Sequence, residues 1–148
     1  MDAPARTLAE ALQRTEAGLL PGAVGVVGLA PGALDPASLL EGAAPRQVIV
    51  EAEELTALLP WAEAQEVAER VGAPLEGPFA WLRFETPMAW ELVGFLARVT
   101  GALAEAGVSL GAVCGYSRDH LFVPWEQREL ALEALEGLGI RRSAGPVA

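Results

Sequence analysis

An α+β fold, with helices on one face of antiparallel sheets, is predicted by three observations. Residues 79–142 read strand, helix, strand, strand, helix and a short final strand. Residues 22–71 repeat most of that order more weakly. The length of 148 residues is that of one ordinary domain, or of two very small ones, and suffices to bury a hydrophobic interior.

The elements follow in order. Leu8, Ala11, Leu12 and Thr15 recur at helical spacing, so a peripheral amphipathic helix is expected from about Ala5 to Ala17, ending at Gly18. Gly22 to Leu29 is a short valine-rich run closed by Pro31-Gly32, which predicts a buried strand whose glycines permit close backbone packing. Asp35 is placed to cap a short helix with Pro36 at its first position, where a missing N–H costs nothing. Gln47–Glu51 and Leu55–Leu59 predict adjacent strands. Ala64, Val67, Ala68 and Val71 predict a helix stopped at Gly72. Pro74, Gly77 and Pro78 mark an expected linker.

In Phe79–Thr86, Ala80, Leu82 and Phe84 alternate with Trp81, Arg83 and Glu85, the period of a half-buried strand. A helix is expected from Pro87 or Trp90 to Ala106, with Leu92, Leu96, Val99 and Leu103 as its stripe, widened by Phe95 and Ala102. Gly94 and Gly101 would leave a shallow groove on it. Val108–Gly115 and Asp119–Val123 predict two strands joined by Tyr116-Ser117-Arg118, followed by a helix from Glu126 to Leu138 and a frayed strand near Arg142. The order β-α-β-β-α-β is that of ferredoxin-like folds. The expected organisation is an N-terminal helix over 1–20, a degenerate unit over 21–76 and a second unit over 77–148.

Composition excludes several chemistries. The chain is 52% hydrophobic and 20% charged, so a soluble globular protein without membrane spans is expected. No secretory signal is recognised. A formal charge of −10 repels phosphate backbones and anionic lipid, so neither nucleic acid nor membrane is expected as a partner. All ten basic residues are Arg, which removes Schiff-base and phosphate-loop lysines. One Cys and one His leave no disulfide, no thiolate zinc site and no multi-histidine metal site, and suit a reducing cytoplasm. No cofactor or metal is expected.

The individual residues are mostly quiet. Asp119 and His120 are strand neighbours whose side chains point to opposite faces, so they form no dyad with each other. His120, at a hairpin exit, is either a ligand or interface residue or a satisfied polar group beside the turn. Asp119 is expected to bond turn amides around Arg118. Cys114 reads as a small buried hydrophobe. Glu51, Glu53 and Glu54 could gather a cation, but a solvated strand connection accounts for them. No base with an orienting partner can be placed, so a non-enzymatic protein is expected.

Glu91-Leu92-Val93-Gly94 and the run Gly115-Tyr116-Ser117-Arg118-Asp119-His120-Leu121-Phe122-Val123-Pro124, with Glu51-Ala-Glu-Glu-Leu55-Thr56 upstream, carry a family likeness. They resemble the ACT domain, and more narrowly short bacterial tandem-ACT proteins of unassigned function, over residues 20–140. Gly111 stands where the family pattern has Asn, Arg118 where it has His, and Pro87-Met88-Ala89 where it has a Ser-rich segment. The resemblance implies a regulatory protein that binds a small molecule, an amino acid, at an interdomain or dimer interface. The implied site joins Thr86, Met88, Trp90, Glu91 and Gly94 to Gly111, Ala112 and Val113 of a neighbouring domain, with Arg118, Asp119 and His120 beside them. A homodimer is the expected assembly, and Met88 with Trp90 would make the pocket apolar. The alternative is a ligand-free dimerisation module partnering a metabolic enzyme.

Overall fold

The computed structural model describes residues 2–145, which form eight strands and five α-helices. They divide into two units, one made of residues 2–21 with 80–145, the other of Gly22–Phe79 inserted between them.

The inserted unit contains β2 (Val24–Leu29), α2 (Pro36–Leu39), β3 (Gln47–Val50), β4 (Leu55–Pro60), α3 (Trp61–Val71) and the first half of β5 (Leu75–Phe84). Its antiparallel sheet has the order β3-β4-β2-β5, the ferredoxin-like arrangement. Val27, Leu29, Leu55, Ala57 and Leu59 bury one sheet face against Leu39, Ala64, Val67 and Ala68 of the helices. Asp35 caps α2 by accepting from the Ala37 N–H at 3.1 Å. Gly72 ends α3 with φ +66°, a conformation glycine adopts without Cβ strain. A Cβ on Gly25 would lie 2.8 Å from the Trp61 ring and 2.9 Å from the Ala64 methyl, so the glycine lets α3 lie directly on β2.

The expected linker is instead part of β5. Val24 pairs with Phe79 and Val26 with Glu76, so Gly77 and Pro78 face the single residue Gly25 across a bulge. Proline lacks a ladder donor and glycine tolerates the irregular backbone, which makes a bulge the place in a strand for both. The boundary expected at 76/77 thus lies within a strand, and the two units part at 79/80.

The other unit contains α1 (Leu8–Arg14), β1 (Glu16–Leu19), the second half of β5, α4 (Phe95–Glu105), β6 (Gly111–Cys114), β7 (Asp119–Pro124), a 3-10 turn over Trp125–Gln127, α5 (Arg128–Glu136) and β8 (Arg141–Arg142). β7 lies between β6 and β5; β1 pairs antiparallel with β5 and parallel with β8. Four of these strands keep the ferredoxin-like order, with β1 intercalated between the first and the last. Ala80, Leu82 and Phe84 are fully buried against Phe95, Val99 and Leu103 of α4 and Ala131 and Leu135 of α5. Phe84 meets Phe95 edge to face at 4.9 Å.

Two helix expectations are corrected here. The first helix stops at Arg14, since buried Thr15 accepts the Thr86 N–H at 3.3 Å and Glu16–Leu19 are drawn into a strand with partners on both sides; tertiary pairing overrides their helical propensity. The main helix begins at Phe95, not near Pro87 or Trp90, because Gly94 adopts φ +96° and breaks any continuation from Glu91. Gly94 is therefore not on the helix, and its expected pairing with Gly101 on one helical face does not occur. Leu92 lies ahead of α4 and Leu96 is partly exposed.

Candidate functional site

The segment 86–94 and the β6–β7 turn enclose a groove of about 250 Å³ at the start of α4. Main-chain bonds build its walls. The Met88 N–H donates to the Ser117 carbonyl at 2.9 Å, joining the segment to the turn, and the Gly115 N–H donates to the Arg118 carbonyl at 2.9 Å, closing the turn on itself. Arg118 Nε donates to the Glu85 carbonyl at 3.0 Å. Trp90 and Tyr116 meet edge to face across the mouth, their rings 6.4 Å apart, and are 67% and 87% exposed.

Phe95, Leu96 and Ala97 form the groove's helical wall. No side chain caps α4, so its first-turn N–H groups carry the positive end of the helix dipole without an internal carboxylate or hydroxyl to answer it. Opposite stand Cys114 and Asp119, paired across the hairpin. Burial pushes the Asp119 carboxyl up from its ordinary range, opposed by the neighbouring Cys114 thiol. Burial and that carboxylate push the Cys114 thiol up, away from the nucleophilic thiolate.

Among the expected site residues, the groove brings together Met88, Trp90, Gly94, Arg118 and Asp119. Glu91 turns to an adjoining shallow groove and pairs with Arg6 at 3.3 Å. Thr86 is structural: its hydroxyl donates to the Arg14 carbonyl at 3.3 Å. Gly111, Ala112 and Val113 lie on β6, whose described pairing is with β7 alone, outside the groove. His120 is also outside it. It accepts the Trp81 indole N–H on Nδ1 at 2.9 Å, the satisfied polar reading.

Two further expectations change. Cys114 is exposed, since the edge strand β6 leaves it uncovered. The Cys114 thiol donates to the Gly115 carbonyl at 3.4 Å, Asp119 stands opposite it across the hairpin, and the turn is closed by the main chain of Gly115 and Arg118. Cys114, Gly115, Tyr116 and Ser117 are groove residues that sequence reasoning missed; an aromatic residue in a short hairpin turn, opposite a tryptophan-bearing segment, was the available signal. Among the described residues no group of three or more His, Cys, Asp or Glu is placed to hold a metal ion, and no helix is long and apolar enough to cross a membrane.

The strand order defines a ferredoxin-like fold, with the groove at a β-to-α junction. Residues 76–137 match the family model of the ACT domain. Similar solved structures include a Vibrio cholerae protein of unknown function, possibly a transport protein, at 28% identity and TM-score 0.67, with 86% of this chain and 91% of that one covered. An Agrobacterium tumefaciens protein is similar at 19% identity and TM-score 0.74, covering 91% and 98%. The regulatory subunit of aspartate kinase from Thermus flavus shares the fold at 19% identity and TM-score 0.58, covering 84% and 96%. No curated protein matches the sequence.

Proposed function

We propose that this is a non-enzymatic regulatory protein whose ACT domain binds an amino acid in the groove between Met88 and Asp119. The observation that carries the reading is the pairing of an uncapped helix start with an apolar wall. The ligand's carboxylate meets the first-turn amides of α4, as anions do at helix N-termini. Its side chain lies against Met88, Leu92 and the Trp90–Tyr116 pair, which favours an apolar amino acid, and Asp119 faces the ammonium group. The ACT match and the likeness to regulatory subunits support a regulatory role. The raised thiol pKa of Cys114 suits binding better than nucleophilic chemistry.

In this reading the protein works in the cytoplasm as a homodimer, with the exposed edge of β6, including Gly111, Ala112 and Val113, supplied to the site by a second copy. Ligand then favours one subunit arrangement in proportion to its differential affinity for the two. A second reading, a ligand-free dimerisation module, draws on the exposure of Val93, at 84%, together with that of Trp90 and Tyr116.

The test is a thermal-shift series with the common L-amino acids. At ~100 times the dissociation constant a ligand adds about 2.7 kcal/mol and raises the melting temperature by several degrees. A shift confined to apolar amino acids supports the sensor; flat curves on folded protein overturn it in favour of the dimerisation module.

A further inference from the structure

The loop that carries Met88 and Trp90 is held from two sides. On one side is the β6–β7 turn, through Ser117. On the other is the N-terminal segment: the Ala5 N–H donates to the Pro87 carbonyl at 2.8 Å, and the Ala89 N–H donates to the Ala5 carbonyl at 2.9 Å. Ala5 thus forms a one-residue parallel bridge with Met88. Met88 lies between two short chain pieces, residue 5 and residue 117, as the middle of a three-chain ladder.

The anchoring is local. Ala5 is fully buried, while Pro4, Arg6 and Thr7 on either side are exposed. Arg14 donates to the Ala3 carbonyl at 2.9 Å, Arg6 reaches Glu91 in a pair exposed on both sides, and Thr7 with Glu10 forms the capping box of α1. The Leu8 methyl, at the start of α1, lies 3.5 Å from where a Cβ on Gly94 would project, so the chain just after residues 4–6 borders the start of α4. A segment held by one buried methyl, two main-chain bonds and solvent-exposed polar pairs belongs to the low-stability part of a fold, which opens before the core does.

We infer that residues 4–6 are a positioning strap for the groove. Docked, it fixes the carbonyl of Pro87 and the N–H of Ala89 and so sets where Met88 and Trp90 stand. Released, it frees the loop on one side while Ser117 still holds the other, and the groove widens for ligand entry. The inference rests on the amino-acid-binding reading for its purpose, though the docking geometry is independent of it. A ligand that contacts Met88 and Trp90 must favour the docked strap, and by linkage a docked strap must raise ligand affinity to the same degree.

Amide hydrogen exchange on the full chain, followed by NMR, tests this. In the ligand-free wild type the Ala5 and Ala89 amides should show one common protection, at least tenfold below that of Val99 and Leu103 in α4. Unequal protection of the two, or protection equal to that of α4, overturns the strap. In Ala5→Pro, which lacks the donor to Pro87, exchange at Ala89 should rise at least tenfold with Val99 and Leu103 unchanged; if that variant does not fold, the wild-type measurement decides. An L-amino acid that raises the melting temperature should slow exchange at Ala5 and Ala89 together, and one that leaves both unaltered overturns the coupling. Should no amino acid bind, the function proposed above falls and the exchange pattern alone decides the strap.

Discussion

The Trp81 indole donates its N–H to Nδ1 of His120 at 2.9 Å, across the neighbouring strands β5 and β7, with the rings edge to face at 5.7 Å. An imidazole that accepts on Nδ1 carries its single proton on Nε2 and is neutral. Protonation would set two donors against each other. Burial, then the charges of Arg83 and Arg118, hold the His120 pKa below its ordinary value, with Glu85 opposing them. The folded state therefore binds fewer protons than the unfolded chain just below about pH 6.5, and stability falls as pH drops through that window. The melting temperature should decline between pH 7 and 5, and His120→Gln should flatten the decline. Parallel curves for the two proteins would refute the link.

Asp119 has the opposite sign. Its folded pKa is raised, so its ionisation weakens the fold as pH rises through that raised value and the cost persists at neutrality. Asp119→Asn should raise the neutral-pH melting temperature slightly, within the roughly 0.5 kcal/mol typical of partly exposed positions, and should also bring the Cys114 thiol pKa down. Titrating that thiol with a chromogenic disulfide reads the second effect.

Phe84 is fully buried and packs edge to face on Phe95. Phe84→Ala removes a large side chain from the centre of the C-terminal core and should cost about 3–5 kcal/mol. The midpoint of urea unfolding, at unchanged slope, measures it.

Gly25→Ala should destabilise the inserted unit by about 1–3 kcal/mol, because the new methyl would lie within 2.9 Å of Trp61 and Ala64. Gly101→Ala is the contrast: nothing lies within 4 Å of its Cβ position, and in mid-helix alanine should gain about 0.5–1 kcal/mol. Opposite signs in one denaturation experiment are the expected result.

Trp90→Ala separates binding from folding. The side chain is largely exposed, so stability should change by no more than about 0.5 kcal/mol, while affinity for any amino acid found by thermal shift should fall at least tenfold, as judged by calorimetry. Unchanged affinity would remove Trp90 from the site.

The alternation of Ala80, Leu82 and Phe84, the Asp35-Pro36 cap and the Gly72 stop were legible because each depends on a residue's own backbone preference or on a period visible within ten residues. β1 was not. Glu16-Ala17-Gly18-Leu19 has no alternation to read, and its conformation is set by Phe84, Arg83 and Leu82 on one side and Arg141 and Arg142 on the other. The segment before α4 misled for a related reason: Leu92 and Leu96 keep helical spacing across Gly94, and only the φ of that glycine, absent from any hydrophobic pattern, separates them. The groove was half legible. Met88, Trp90 and Gly94 stand where a chain entering a helix is expected to meet a ligand, but Tyr116 and Ser117 read as a plain connection until the Met88–Ser117 bond placed them on the opposite wall.

The intercalated β1 has a bearing on synthesis. Glu16 and Ala17 lie beside Arg141 and Arg142, and the Ser143 N–H donates to the Ala17 carbonyl at 2.9 Å. All four strands of the inserted unit have emerged from the ribosome once residue 79 is clear, so that unit can fold while translation continues. The sheet of the other unit opens with residue 16 and closes with residue 142, so its first strand stays half-paired until Arg141 and Arg142 have been made.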